Sequence, residues 1–265
     1  SSFSQAIEWC SRARAATALE LAELGHAVSL VADEGGLAAP LPSNRAALEL
    51  LYRGIERSGL APGTDVAIAV DLAATQLATE TGYAFRREAR ELRTGELVEE
   101  LASWADAFPI VSIEDGLAED DLEGWRLLTR RLGDRVQLVG DDLFATSPAR
   151  LAAGVADEIA NAVLVKPNQV GTLTGARRVA DAARAAGYAA VLSARSGETE
   201  GAWLADLAVG WGCGQLKVGS TTRSERTAKW NRLLRIEAEH PSTRYAGVGA
   251  LARGSCPPAR GRVAE

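Results

Sequence analysis

The sequence predicts an α/β fold built on a parallel (β/α) barrel, and three observations carry that prediction. Short apolar, β-branched runs alternate with helical segments, as buried parallel strands joined by crossover helices do. Five of six such runs reach an acid or a lysine at or just past their C-terminal end. Those residues also recur at the length of one strand, loop and helix: Glu114, Asp141, Lys166, Ser193 and Lys217 are 27, 25, 27 and 24 residues apart.

Taken in order, a helix is expected from Phe3 to Leu24, where Phe3, Ile7, Ala15 and Leu19 fall at helical spacing and Gly25 supplies a stop. Asp33-Glu34-Gly35-Gly36 reads as a Gly-rich turn, and Asn44 is placed to cap a second helix carrying Leu48, Leu51 and Ile55 before Gly59. Six strands follow: Val66 to Val70, Ile110 to Ile113, Val136 to Val139, Ala162 to Val165, Ala189 to Leu192 and Gln215 to Val218. Ser147-Pro148 gives the helix carrying Leu151, Val155 and Ile159 a cap and a first-turn proline. The last helix spans about Arg223 to Glu239. Residues 1–245 thus read as the barrel domain, and the Gly-, Pro- and Arg-rich segment 246–265 as a disordered tail. Trp125, Trp203, Trp211 and Trp230 are expected to cover barrel helices, and Cys213 to pack in the core.

Composition narrows the function. At 265 residues one α/β barrel can be a single domain. No apolar run approaches the ~18 residues needed to cross a bilayer, so a soluble protein is expected. Net charge is −6 with both signs interleaved; there is no basic stripe to hold nucleic-acid phosphates, and a small-molecule ligand is expected instead. Cys10, Cys213 and Cys256 are an odd, scattered set that suits a reducing compartment, and Ser1 to Cys10 lacks a signal-peptide pattern, so cytoplasm is the expected location. No methionine occurs, position 1 included, and a natural start upstream of Ser1 is expected.

In a parallel barrel the strand C-termini converge on one face, where the following loops build the active site. Asp71, Glu114 and Asp141 would meet there, and three hard oxygen ligands suit Mg²⁺. Lys166 and Lys217 would face them. A lysine beside a divalent cation and a second lysine is pushed toward its neutral form and can act as a base. Proton abstraction next to a carboxylate piles charge onto an anion, and fixed positive charge stabilises that build-up. One acid at a strand end is often only a solvated carboxylate or a helix cap; the metal reading rests on five charges in register. Asp115 and the run Glu119 to Asp121 read as helix-start charges, while Asp142 and Gln169 stay open between site and scaffold.

Long strings in fixed order then carry a family resemblance. They are Asp33-Glu34-Gly35-Gly36, Ser112-Ile113-Glu114-Asp115-Gly116-Leu117-Ala118-Glu119-Asp120-Asp121, Val139-Gly140-Asp141-Asp142-Leu143, Lys166-Pro167-Asn168-Gln169, Arg195-Ser196-Gly197-Glu198-Thr199-Glu200 and Arg223-Ser224-Glu225-Arg226. Up to about Gly247 the chain resembles enolase, phosphopyruvate hydratase, whose superfamily is the established case of a lysine or histidine base working with magnesium ions. The resemblance implies a TIM-type barrel, a usual homodimer, and conversion of 2-phosphoglycerate to phosphoenolpyruvate. It implies that Asp71, Glu114 and Asp141 hold Mg²⁺ and that Lys166 removes the C2 proton. Glu34 would assist departure of the 3-hydroxyl, Lys217 would face the substrate carboxylate, and Arg195 and Ser196 would take the phosphate, which suits a guanidinium.

The chain departs from that family in three respects. Ala194 stands in Ser193-Ala194-Arg195-Ser196 where the family has histidine, and His26 and His240 lie outside the motif. The family's amino-terminal domain, its first two barrel strands and the site histidine and glutamate they carry have no counterpart among these residues. Ala32 and Thr221-Thr222 differ from the family's usual loops. Two alternatives follow: a paralogue acting on a phosphonate analogue, in the manner of a carboxyphosphonoenolpyruvate synthase, or a non-catalytic enolase-like protein.

Overall fold

The computed structural model describes residues 2–252. Its centre is one parallel sheet of six strands, β1 (Ile68–Asp71), β4 (Ile110–Glu114), β5 (Gln137–Gly140), β6 (Ala162–Val165), β7 (Ala189–Ser193) and β8 (Leu216–Lys217), in that spatial order. All six expected strands are present within a few residues of their expected ends. The hairpin β2 (Tyr83–Phe85) with β3 (Arg90–Leu92) was not expected; three-residue strands flanked by charge carry too little alternation to stand out.

The sheet is strongly curled. Strands lie ~4.8 Å apart, so the edges of a flat six-stranded sheet would be ~24 Å apart. Yet Lys217, on edge strand β8, reaches Asp71 on the opposite edge strand β1 at 2.7 Å. Six strands thus wrap into part of a barrel.

Alternation sorts the side chains into two faces. Leu138, Val163, Val165, Ala190 and Leu192 join the large core under the helices, whereas Val139, Ala162, Leu164 and Val191 form a separate small cluster. The second set has the parity of the barrel interior. Below it, Gln137 and Gln215 exchange amide hydrogen bonds at 2.9 Å each, and Gln137 also donates to Ser112. Above it, the same parity selects Asp71, Glu114, Asp141, Lys166, Ser193 and Lys217.

The connecting helices are α3 (Thr94–Ala107), α4 (Leu122–Leu132), α5 (Pro148–Ala156), the short α6 (Pro167–Val170), α7 (Leu173–Ala185) and α8 (Trp203–Gly210). Ser147 caps α5 with Pro148 in its first turn, as expected. Helices α1 (Phe3–Glu23) and α2 (Asn44–Arg57) precede the sheet, and α9 (Ser224–Glu239) follows it. Ser43, rather than Asn44, caps α2, accepting the Ala46 N–H at 3.0 Å. Helix α1 packs on both α2 and α9. Its first N–H groups, from Phe3 and Ser4, donate to the Glu237 carboxylate at 2.6 and 3.0 Å, a favourable place for an anion.

Two expectations need correction. Trp125 is fully buried, but Trp203 is 48% exposed because it starts α8 rather than facing the core. Of the segment 246–265 expected as a tail, residues 253–265 lie outside the described residues; within 246–252, Val248 is exposed, but Ala250 and Ala252 are tied to the sheet. Gly247–Ala250 forms a 3₁₀ turn, Ala250 accepts from Gln215 at 2.7 Å, and Ala252 donates to Gln137 at 3.1 Å. This segment covers the barrel's N-terminal end, a role its composition does not reveal.

Candidate active site

At the C-terminal end of the sheet the five charges named from the sequence form two ion-paired groups. Lys217 Nζ donates to Asp71 Oδ2 and to Glu114 Oε1, both at 2.7 Å. Lys166 Nζ pairs with Asp141 Oδ2. Glu114 is repelled by both Asp71 and Asp141, so the two ion-pair groups share one electrostatic neighbourhood.

Burial decides how these groups titrate. Glu114 is 7% exposed, and desolvation pushes its carboxyl up to about 8 although Lys217 pulls the other way. Burial would lower Lys217, but attraction to Glu114 and then Asp71 outweighs it and holds the ammonium above its ordinary range. That is opposite to the direction expected of the lysine pair, because the charges nearest Lys217 are two carboxylates.

Acidic oxygens gathered at this end of the sheet could hold a metal ion. Asp141 Oδ1 is buried with no hydrogen-bond partner, and the buried Glu114 carboxyl, raised by desolvation, is relieved by nearby positive charge. The Asp71 and Glu114 oxygens already converge on one positive centre, the Lys217 ammonium.

A second acidic grouping overlaps the first: the carboxylates of Asp115, Asp141 and Asp142 offer oxygens within 4.8 Å of one another. Here the expectation for Asp115 was wrong. It starts no helix. It is 4% exposed at φ 41°, and its two oxygens accept the backbone N–H groups of Asp141 and Asp142 at 2.9 Å each. Desolvation pushes it up to about 6, against the lowering effect of those two bonds. Both oxygens thus clamp the loop that carries Asp141. Its place directly after Glu114 was the available signal. Asp121, by contrast, does cap α4, accepting the Gly124 N–H at 2.9 Å.

Beneath Lys166 lies a second support. Thr146, fully buried at φ 53°, accepts the Lys166 backbone N–H at 3.0 Å and bonds Gln169 Oε1 at 2.5 Å. Gln169, open on sequence grounds, therefore belongs to the scaffold under the lysine. Asp142 is exposed and its carboxyl is raised by desolvation and then by Asp141.

Glu34 is brought to the same end of the sheet by its turn. Gly35 adopts φ 79°, and its carbonyl accepts from Thr222 Oγ1 at 2.7 Å and from Arg14 at 3.2 Å. The Glu34 carbonyl accepts the Ser220 N–H at 2.9 Å. A Cβ at Gly35 would meet Thr222 O at 2.7 Å, and one at Gly219 would meet Glu34 O at 2.9 Å. Two glycines thus let this turn lie on the loop after β8, and the departure at Thr222 supplies a hydroxyl that ties the two together.

Arg195 and Ser196 follow β7 and are exposed. Arg195 makes no ion pair among the described residues. Ala194 is 8% exposed and donates its N–H to Lys217 O at 3.0 Å, so it lies beside the β8 lysine.

Sequence reading missed two buried cations under this loop. Arg226 and Lys229, on α9, are each 0% exposed. Arg226 donates to the carbonyls of Arg195 at 2.8 Å, Val218 at 3.4 Å and Ser196, and Lys229 donates to those of Thr199 and, at 2.6 Å, Glu225. The string Arg223-Ser224-Glu225-Arg226 marked the place but not the role.

Among the described residues no helix is long and apolar enough to cross a membrane. A known family model, that of the enolase C-terminal TIM barrel domain, matches residues 1–253. Since that match spans nearly the whole chain, the protein belongs to the enolase C-terminal TIM barrel domain family.

Proposed function

We propose that this chain carries the catalytic charges of a Mg²⁺-dependent lyase that dehydrates 2-phosphoglycerate to phosphoenolpyruvate. The observation that carries the proposal is the paired arrangement at one sheet end: Lys217 between Asp71 and Glu114, and Lys166 on Asp141 with the other Asp141 oxygen buried and unpartnered. A cluster of this charge density has no use in a merely structural barrel, where burying ions is costly.

Each residue then has one task. Asp71, Glu114 and Asp141 would hold Mg²⁺, which when bound would supply fixed positive charge to stabilise the build-up of negative charge on the substrate. Lys166 Nζ accepts that proton. Lys217, kept as an ammonium by its acidic neighbours, faces the substrate carboxylate and adds a second fixed charge. Glu34, on the turn docked against the β8 loop, protonates the departing 3-hydroxyl. Arg195 and Ser196 bind the phosphate, a planar fork and a hydroxyl against its oxygens. Asp115 and Thr146 keep the Asp141 loop and Lys166 in place.

One observation favours a second reading. Ala194 removes an imidazole from beside Lys217, and a site with one contact changed suits an analogue of the phosphorylated acid, such as a phosphonate. One assay separates the readings: the protein is given Mg²⁺ and 2-phosphoglycerate, and the ultraviolet absorbance of the enol product is followed. Turnover supports the first reading. Silence with tight, Mg²⁺-dependent binding of the acid supports the second, and silence with no metal binding refutes both in favour of a non-catalytic protein.

A further inference from the structure

Arg226 and Lys229 present an energetic puzzle. Removing a cation from water costs several kcal/mol even after relaxation, and both are fully buried. Neither is held by a close carboxylate: the nearest acid oxygen to Arg226 is Glu225 Oε1 at 3.6 Å from Nε, and Lys229 has no ion pair among the described residues. Their partners are backbone carbonyls, and the choice of carbonyls is informative. Arg226 holds Arg195 and Ser196 from the loop after β7 together with Val218 from the end of β8. Lys229 holds Thr199, further along the β7 loop. Trp230, next on the helix, donates its indole N–H to Ser220 in the β8 loop at 3.1 Å. Gly219 completes the fit, since a Cβ there would meet Arg226 Cδ at 2.7 Å.

Helix α9 therefore acts as a strut whose cationic face fixes the backbone of both loops at once. Resting on the reading of Arg195 and Ser196 as the phosphate contacts, we infer that Arg226 is the positioning residue of this anion subsite. By gripping the carbonyls of Arg195 and Ser196, one before and one after the Ser196 Cα, it sets where the Arg195 guanidinium stands relative to Lys217. Lys229 extends the same grip to the far side of the loop. A bidentate anion contact depends on orientation, and a misplacement of ~1 Å can weaken a site ~100-fold. The cost of burying the cation is thereby tied to placement of the ligand and not to packing alone.

The test uses inorganic phosphate as probe, titrated calorimetrically in the presence of Mg²⁺ into the whole chain and five variants: Arg195→Ala, Arg226→Gln, Arg226→Lys and the double variants Arg195→Ala/Arg226→Gln and Arg195→Ala/Arg226→Lys. Arg226→Gln and Arg226→Lys are expected to weaken phosphate about 10- to 100-fold while Mg²⁺ affinity holds. With Arg195 already removed, Arg226→Gln should add no more than about twofold, the signature of two residues acting on one contact. If Arg226→Gln fails to fold, Arg226→Lys decides with its own Arg195→Ala double, since lysine keeps the charge but cannot fork between two loops. An equal loss with or without Arg195, no loss at all, or a parallel loss of Mg²⁺ affinity would overturn the inference and leave Arg226 a purely structural cation. Phosphate binding that needs Arg195 but ignores Arg226 refutes only this inference. A native protein that binds no phosphate refutes the Arg195 reading and this inference with it.

Discussion

Replacing Lys217 with methionine removes the ammonium that Asp71 and Glu114 share while keeping most of the side chain's volume. The two carboxylate oxygens lie at most about 5.4 Å apart, twice the 2.7 Å of each bond. At an effective dielectric of about 20 two like charges at that distance repel by about 3 kcal/mol. The Asp71 side chain is 43% exposed, and solvent screening reduces the penalty to about 1–2 kcal/mol. For a domain of this size that corresponds to a fall in Tm of about 2–8 °C at a pH where both carboxyls are ionised.

The pH dependence has a fixed sign. Glu114 is raised from 4.5 in the unfolded chain to about 8 in the fold, so its contribution to stability is complete below 4.5 and fades as pH rises through 8. Losing Lys217 raises it further. The difference in Tm between native protein and Lys217→Met should thus be largest above pH 8 and shrink near pH 5. Mg²⁺ should restore more stability to the variant than to the native protein, because the ion replaces the missing charge without displacing an ammonium. Differential scanning fluorimetry across pH, with and without Mg²⁺, reads both effects. A deficit that is the same at both pH values and indifferent to Mg²⁺ would show that these acids do not share one cation site.

Three further outcomes are expected. Lys166→Ala should lower kcat by about 10²–10⁴ while calorimetric Mg²⁺ affinity is kept or improved, since Asp141 loses its competing ammonium; turnover near the native level would remove Lys166 as the base. Ala194→His should raise the rate of phosphoenolpyruvate formation if 2-phosphoglycerate is the native substrate, even though filling a position only 8% exposed costs about 1–3 kcal/mol by denaturant titration; a stable variant with no gain points to the analogue reading. Gly35→Ala forces a Cβ to within 2.7 Å of Thr222 O at a φ of 79°, and should displace the Glu34 turn, lowering kcat with Mg²⁺ affinity unchanged. Equal losses in both would mean that the turn supports the metal ligands instead.

Much of this site is legible along the chain because two periods coincide. The βα repeat of about 25 residues carries Glu114, Asp141, Lys166, Ser193 and Lys217 to successive strand ends, and the two-residue alternation gives them the parity of Val139, Leu164 and Val191. Both are local rules, so they survive in the sequence without coordinates. The hairpin Tyr83–Phe85 with Arg90–Leu92 was not legible, since pairs of three-residue strands are held by their surroundings and not by pattern.

The sequence by itself thus determined the parallel architecture, the face on which the charges stand and the strings that mark the family. Only the tertiary structure decided who holds whom. Curling of the sheet brings Lys217 to Asp71 across 146 positions in the chain. Asp115 becomes a clamp because two backbone N–H groups of the neighbouring loop fall on its oxygens, and Arg226 becomes a buried strut because carbonyls of two loops meet at its guanidinium. Such roles depend on the direction of single bonds between distant segments, and no spacing rule along one chain encodes those directions.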